Sequence, residues 1–171
     1  MRFPMHSSFE PLGDRAALRL KDEVLRKRDC GEVIFEIQAL RQGVVTSGIH
    51  AVPVLDAFVE QLQCTGLRDA WIIVGRDAAR LLLTRLLSRD LALNAPIMSA
   101  EDAARLAERF MEQFPSPSRF FTNANVLDDD DSAIDDTWTG SFSSLTASTF
   151  DTGIVAIGEG RIGILWIKDE D

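Results

Sequence analysis

Asp151-Thr-Gly-Ile-Val-Ala-Ile-Gly-Glu-Gly-Arg-Ile-Gly-Ile-Leu-Trp-Ile-Lys-Asp-Glu-Asp171 is the stretch whose reading decides the fold. Gly153 to Gly158 is an apolar run rich in β-branched residues, Ile162 to Ile167 is a second one, and Glu159-Gly160 lies between them. Two apolar runs separated by a short Gly-containing connection read as a β-hairpin. Side chains alternate across a strand, so Ile162, Ile164 and Trp166 share one face while Leu165 and Ile167 share the other. Both faces are apolar, which predicts strands at the centre of a sheet with cover on each side. An exposed hairpin of this composition would be a site of aggregation.

The same stretch contains Gly158-Glu-Gly160-Arg-Ile-Gly163, a letter-for-letter match to the dinucleotide-binding fingerprint. That motif works only where the glycines close a strand and open a helix whose N-terminus holds the pyrophosphate. The residues after Gly163 read as strand and end in Asp169-Glu-Asp171, so the glycines are read as turn and bulge positions. No cofactor is expected.

Working outward, the 171 residues are expected to form a single globular domain over 1–171, with an acidic loop at about 123–152. An apolar fraction of 46% with 26% charged residues is ordinary for a water-soluble globule. No apolar run approaches the roughly 20 residues of a membrane span, and Met1 to Ser8 lacks a signal-peptide core. Cys30 and Cys64 form no C-x-x-C pair, so reduced thiols and a cytoplasmic location are expected. The net charge is −9 and unevenly placed: residues 1–100 carry 13 Lys+Arg against 12 Asp+Glu, and residues 101–171 carry 5 against 15. A field of that sign repels nucleic acid and anionic lipid and attracts basic proteins.

Upstream, Asp14 is a candidate N-cap for a helix over Arg15 to Arg28, with Leu18, Val24 and Leu25 near one stripe. Its cations Arg15, Arg19, Lys21, Arg26 and Lys27 read as a solvated face, because Asp22, Glu23 and Asp29 offset them. Cys30-Gly31 breaks that helix. Glu32 to Leu40 alternates, with Val33, Phe35, Ile37 and Ala39 opposite the polar residues, as a half-buried strand does. Val44 to Ile49 is read as a returning strand. Pro53 suits the first turn of a helix running to Gln63 with Leu55, Phe58, Val59 and Leu62 on its apolar side. Ala70 to Gly75 reads as a compact buried strand, and Arg76 to Arg89 as a leucine-rich helix too apolar for a surface. Ser99 caps a fourth helix, Ala100 to Phe114, with Ala103, Leu106, Ala107, Phe110 and Phe114 as its stripe. Arg119 to Thr122 is a short strand. Together these predict an α+β fold: a mixed or antiparallel sheet with a central C-terminal β-hairpin, packed by about four helices.

Candidate chemistry is sparse. Asp128, Asp129, Asp130, Asp131, Asp135 and Asp136 put six carboxylates into nine residues. An EF-hand starting at Asp128 requires Gly at its sixth position and an acid at its twelfth, where Ala133 and Thr139 stand. The bland reading of the run is a solvated acidic loop. The sharper one is an electronegative recognition surface that steers a cationic partner, with Trp138 and Phe142 as aromatic anchors. His6, His50, Cys30 and Cys64 lack the local spacing of a zinc site, so no metal is expected. Cys64, at a helix end, is the better candidate nucleophile, although a small buried residue is the commoner role. No catalytic residue is assigned.

From Trp138 onward the chain resembles the C-terminal part of bacterial immunity proteins of polymorphic and contact-dependent toxin systems. The resemblance is carried by the aromatic-polar lead-in at Trp138, by Thr149-Phe-Asp-Thr-Gly-Ile-Val155 and by Gly163-Ile-Leu-Trp-Ile-Lys-Asp-Glu-Asp171, about a fifth of the chain. It implies a cytosolic, non-enzymatic protein that binds a cognate toxin domain and blocks it by occlusion. The expected partner is a basic protein toxin, and no oligomeric state is specified. The alternative is a small enzyme or ligand-binding domain whose pocket would involve His50, Cys64 or Asp151.

Overall fold

The computed structural model describes residues 8–123, 143–148, 150–158 and 160–169. Among them the chain runs β1 (Phe9–Pro11), α1 (Arg15–Lys27), β2 (Glu32–Leu40), α2 (Ala51–Gln61), β3 (Ile72–Val74), α3 (Arg76–Ser88), α4 (Ala100–Glu112), β4 (Arg119–Thr122), β5 (Phe150–Gly158) and β6 (Arg161–Asp169). The six strands form one sheet in the order β1-β2-β6-β5-β4-β3, and every neighbouring pair is antiparallel. The fold is α+β, with the C-terminal hairpin β5–β6 as the two central strands.

The hairpin is covered on both sides. Ile154, Ala156, Leu165 and Ile167 pack with α1, α3 and α4, while Val155, Ile157, Ile162, Ile164 and Trp166 pack with α2 and Leu145. The alternation read from the sequence therefore holds residue by residue. Gly160 turns the hairpin with a φ of +74°. Gly163, the last glycine of the fingerprint-like motif, serves packing: a Cβ there would stand 2.5 Å from Phe114 Cζ and 3.0 Å from Ile37 Cγ1.

Helix termini follow their caps. The Asp14 carboxylate accepts from Ala16 N at 2.9 Å and the Ser99 hydroxyl from Asp102 N at 3.1 Å, each satisfying an amide that lacks an intrahelical partner. The whole predicted stripe of α4, with Phe114 just beyond its end, is buried. On α1 the buried residues are Ala17, Leu20 and Val24, whereas Leu18 is 59% exposed and Leu25 lies on the outer side. The expected stripe was displaced because it ignored Ala17 and Leu20. Arg15, Arg19 and Arg26 are exposed; Lys21 pairs with Glu36, and Lys27 with Glu23 and Asp102.

Three further expectations are corrected. Val44 to Ile49 is no strand: Gly43 and Gly48 both have positive φ, Val44 N closes a turn on Arg41 O, and Gly48–His50 is a 3-10 turn. The Thr46 carbonyl accepts instead from the Arg119 guanidinium. Ala70 to Gly75 shrinks to the three residues of β3, an edge strand with Ile73 61% exposed. On α3, Leu82, Leu83, Leu86 and Leu87 are buried but Leu81 is 56% exposed, so this helix does present a surface.

Candidate functional site

All eight residues singled out as a recognition surface, Asp128 to Asp131, Asp135, Asp136, Trp138 and Phe142, lie outside the described residues. What the structure describes is the base on which that segment stands. The chain leaves β4 at Asn123 and is described again at Ser143, and these two points are joined: Asn123 Nδ2 donates to Ser143 O and to Asp151 O, both at 2.9 Å. Asn123 is buried, so this amide replaces water for two carbonyls that need a donor.

Asp151, the first inward-facing side chain on the α2 side of β5, fastens the other end. Its carboxylate accepts from Leu145 N at 3.0 Å, Thr146 N at 3.1 Å, Thr146 Oγ1 at 2.7 Å and Trp166 Nε1 at 3.0 Å. Leu145 is buried in the α2-side core, and its carbonyl accepts from Thr65 N at 2.8 Å. Residues 143–148 are thus a strap between the hairpin and the turn after α2. Trp166 meets Trp71 edge to face at 6.2 Å, and Trp71 Nε1 donates to Asp56 Oδ1 at 2.8 Å. With four donors around it, Asp151 has no lone pair directed at a substrate, so its role is to hold the strap.

At the same end of the hairpin, on the opposite face, Asp169 makes a second lock. Arg28 is buried, and its five N–H groups reach Leu86 O, Cys30 O, Arg89 O and both oxygens of Asp169, the last at 3.0 and 2.9 Å. Asp169 Oδ2 also accepts from Leu91 N at 2.7 Å. Gly31 makes room: its φ is +67°, and a Cβ there would fall 1.9 Å from Asp169 Oδ1. The end of α1, the end of α3 and the end of β6 are tied at this one guanidinium.

Of the residues named for a catalytic alternative, His50 and Cys64 stand beyond opposite ends of α2. His50 is exposed before α2, and Cys64 follows it, separated by an eleven-residue helix of about 16 Å. Burial pushes the Cys64 thiol up, the reverse of activation. The Cys30 thiol is also held up, first by its hydrogen bond to Asp90 and then by burial. Among the described residues no three His, Cys, Asp or Glu side chains gather as metal ligands, and no helix is long and apolar enough to cross a membrane.

Sequence reasoning missed Arg28, Asp90 and Asp169 as interior polar groups, and it missed a cavity of about 360 Å³ beside them, lined by Arg85, Arg89, Asp90, Leu91, Ala92, Leu93 and Asn94. One signal was available: Asp151 and Asp169 stand at the outer ends of a hairpin whose runs Gly153 to Gly158 and Ile162 to Ile167 are apolar. Comparison of the chain with protein-family models, with curated proteins and with solved structures returned no match.

Proposed function

We propose that the chain is a cytoplasmic bacterial immunity protein that binds a cognate basic toxin domain and neutralises it by occlusion. The observation that carries the reading is the charge imbalance, 5 Lys+Arg against 15 Asp+Glu over residues 101–171, with six of those acids in 128–136. An anionic segment of this density raises the encounter rate with a cationic partner and disfavours anionic competitors. The closed base at Asn123, Ser143 and Asp151 supports the reading, since a firmly rooted segment loses less freedom on binding. Asp128 to Asp131, Asp135 and Asp136 supply the field, and Trp138 and Phe142 the apolar anchors.

The test is charge reversal of the six aspartates to lysine, followed by stopped-flow association with the basic domain of a toxin encoded beside the gene. Association is expected to slow by at least roughly ten-fold at low salt, with the difference shrinking as salt is added. Unchanged affinity at low salt contradicts the proposal. A second reading, a small ligand-binding domain, is favoured by one observation, the cavity at the end of α3.

A further inference from the structure

The two ends of the sheet are finished differently. At one end β1 pairs only with Gln38 to Leu40 of β2. It carries Pro11, which has no N–H to offer, and Glu10, which is paired with Arg41. The part of β2 left uncovered carries Glu32 and Glu36. Proline and charge are guards of a sheet edge. At the other end β3 is Ile72-Ile73-Val74, three β-branched residues with no charge and no proline. It pairs with β4 on one side, and among the described residues no strand lies on the other. An edge strand turns part of its backbone N–H and C=O groups away from its neighbour, and this row has no strand to meet.

The surface beside that edge is apolar as well. Ile73 stands opposite Phe121 in the ladder, and the Arg119 guanidinium lies 5.7 Å from the Phe121 ring centroid. Arg119 also donates to the Thr46 carbonyl, and Val45, next to Thr46, is exposed like Ile73. Both side chains thereby belong to the α2 side of the β3 end, where an exposed apolar patch adjoins an open edge.

We propose that β3 is a self-association edge, to which a second copy of the chain adds its own β3 antiparallel about Ile73. Every neighbouring pair in the sheet is antiparallel. A two-fold axis at Ile73 sets Ile73 against Ile73 and Ile72 against Val74, β-branched pairs throughout. Charge favours the same partner. The chain carries −9, so two copies repel on average, but this end is balanced. Exposed Arg68 and Asp69 precede β3, and Arg76 and exposed Asp77 follow it. Antiparallel pairing brings the Arg68 end of one strand beside the Asp77 end of the other, twice. The guarded β1 edge blocks further addition, so association closes at two. Self-association goes beyond the binding of a toxin and does not rest on it.

Three residues a side fall far short of the roughly 20–30 of a stable interface, so a dissociation constant of about 10–100 µM is expected. Sedimentation velocity of the full chain, from well below to well above that constant, should show a reversible monomer–dimer equilibrium. Ile73→Lys should weaken it roughly ten-fold or more, with the melting temperature of the monomer unchanged. Arg68→Glu should weaken it several-fold, and combining it with Asp77→Arg should restore it, which association through another face would not do. Leu18→Lys, on the outer side of α1, should leave it unaltered. A monomer at every concentration overturns the proposal and leaves the edge to a strand from another protein. It is equally overturned by a dimer that Ile73→Lys leaves intact or Leu18→Lys dissolves, by a charge swap that fails to restore pairing, or by assembly beyond two. If the double variant fails to fold, Ile73→Lys decides alone, because that side chain is exposed.

Discussion

Asp151 and Asp169 sit at the same end of the central hairpin, where Asp151 pairs in register with Lys168 and Asp169 with Phe150. Both are about 1% exposed, yet they are satisfied in different ways. Asp169 faces the three-helix side and is met by a guanidinium plus one amide. Asp151 faces the α2 side and is met by two amides, a hydroxyl and an indole, with no cation among its bonded partners. One lock is ionic and joins three elements of the fold; the other is neutral-donor and joins the hairpin to a strap. The first is expected to govern global stability, and the second the seating of residues 143–148 and of whatever the strap carries.

The largest effect is expected at the ionic lock. Arg28→Met leaves Asp169 buried with only Leu91 N, which should cost about 3–5 kcal/mol in urea unfolding. A double variant, Arg28→Met with Asp169→Leu, should recover much of that loss, since removing both partners leaves no bare charge. Next comes Asp151→Ala, which strands the Trp166 N–H and the Leu145 amide. A loss of roughly 2–4 kcal/mol is expected, with faster hydrogen exchange at Leu145 than at Val155. Equal acceleration at both amides would mean that the two locks do not act on separable parts.

The smallest effect sharpens the comparison from outside the core. Glu23, on α1, is bonded to Arg109 and paired with Arg105 and Lys27 at the surface of α1 and α4. The Arg109 hydrogen bond, followed by the Arg105 hydrogen bond and the charges of both, outweighs partial burial and holds its carboxyl below the usual glutamate range. A depressed carboxyl stabilises above the ordinary value of about 4.3, and that stability is lost as pH falls through the lower folded value. Glu23→Gln should therefore flatten the acid limb of the stability curve while costing under about 1 kcal/mol at neutral pH. The cations around Glu23 outnumber those around Asp169, yet its effect is smaller because water screens it.

Much of the fold was legible because it is written in local periodicity. The two faces of β6, the span of β2 and the buried stripe of α4 each follow from apolar spacing over a few residues. Val44 to Ile49 misled because β-branched content outweighed two glycines, and Ala70 to Gly75 because an apolar run cannot announce whether it is central or at an edge. The polar locks are of another kind. Arg28 and Asp169 are 141 positions apart, and no spacing rule connects them. Arg28 reads as one more cation of a basic helix until α3 and β6 close around it. The cavity of Arg85 and Arg89 is equally silent, being made by how a loop folds back on the end of a helix.

The locks that hold the fold are separate from the acidic segment proposed to meet a partner, and that separation has one direct test. Because Asn123 and Ser143 are already hydrogen-bonded, residues 124–142 can be replaced by a linker of about four Gly and Ser residues without stretching the base. Urea unfolding of the shortened full chain, followed by tryptophan fluorescence of Trp71 and Trp166, should show a cooperative transition within about 1 kcal/mol of the parent. Loss of the cooperative transition, or a fall of several kcal/mol, would contradict it and make the acidic segment part of the fold.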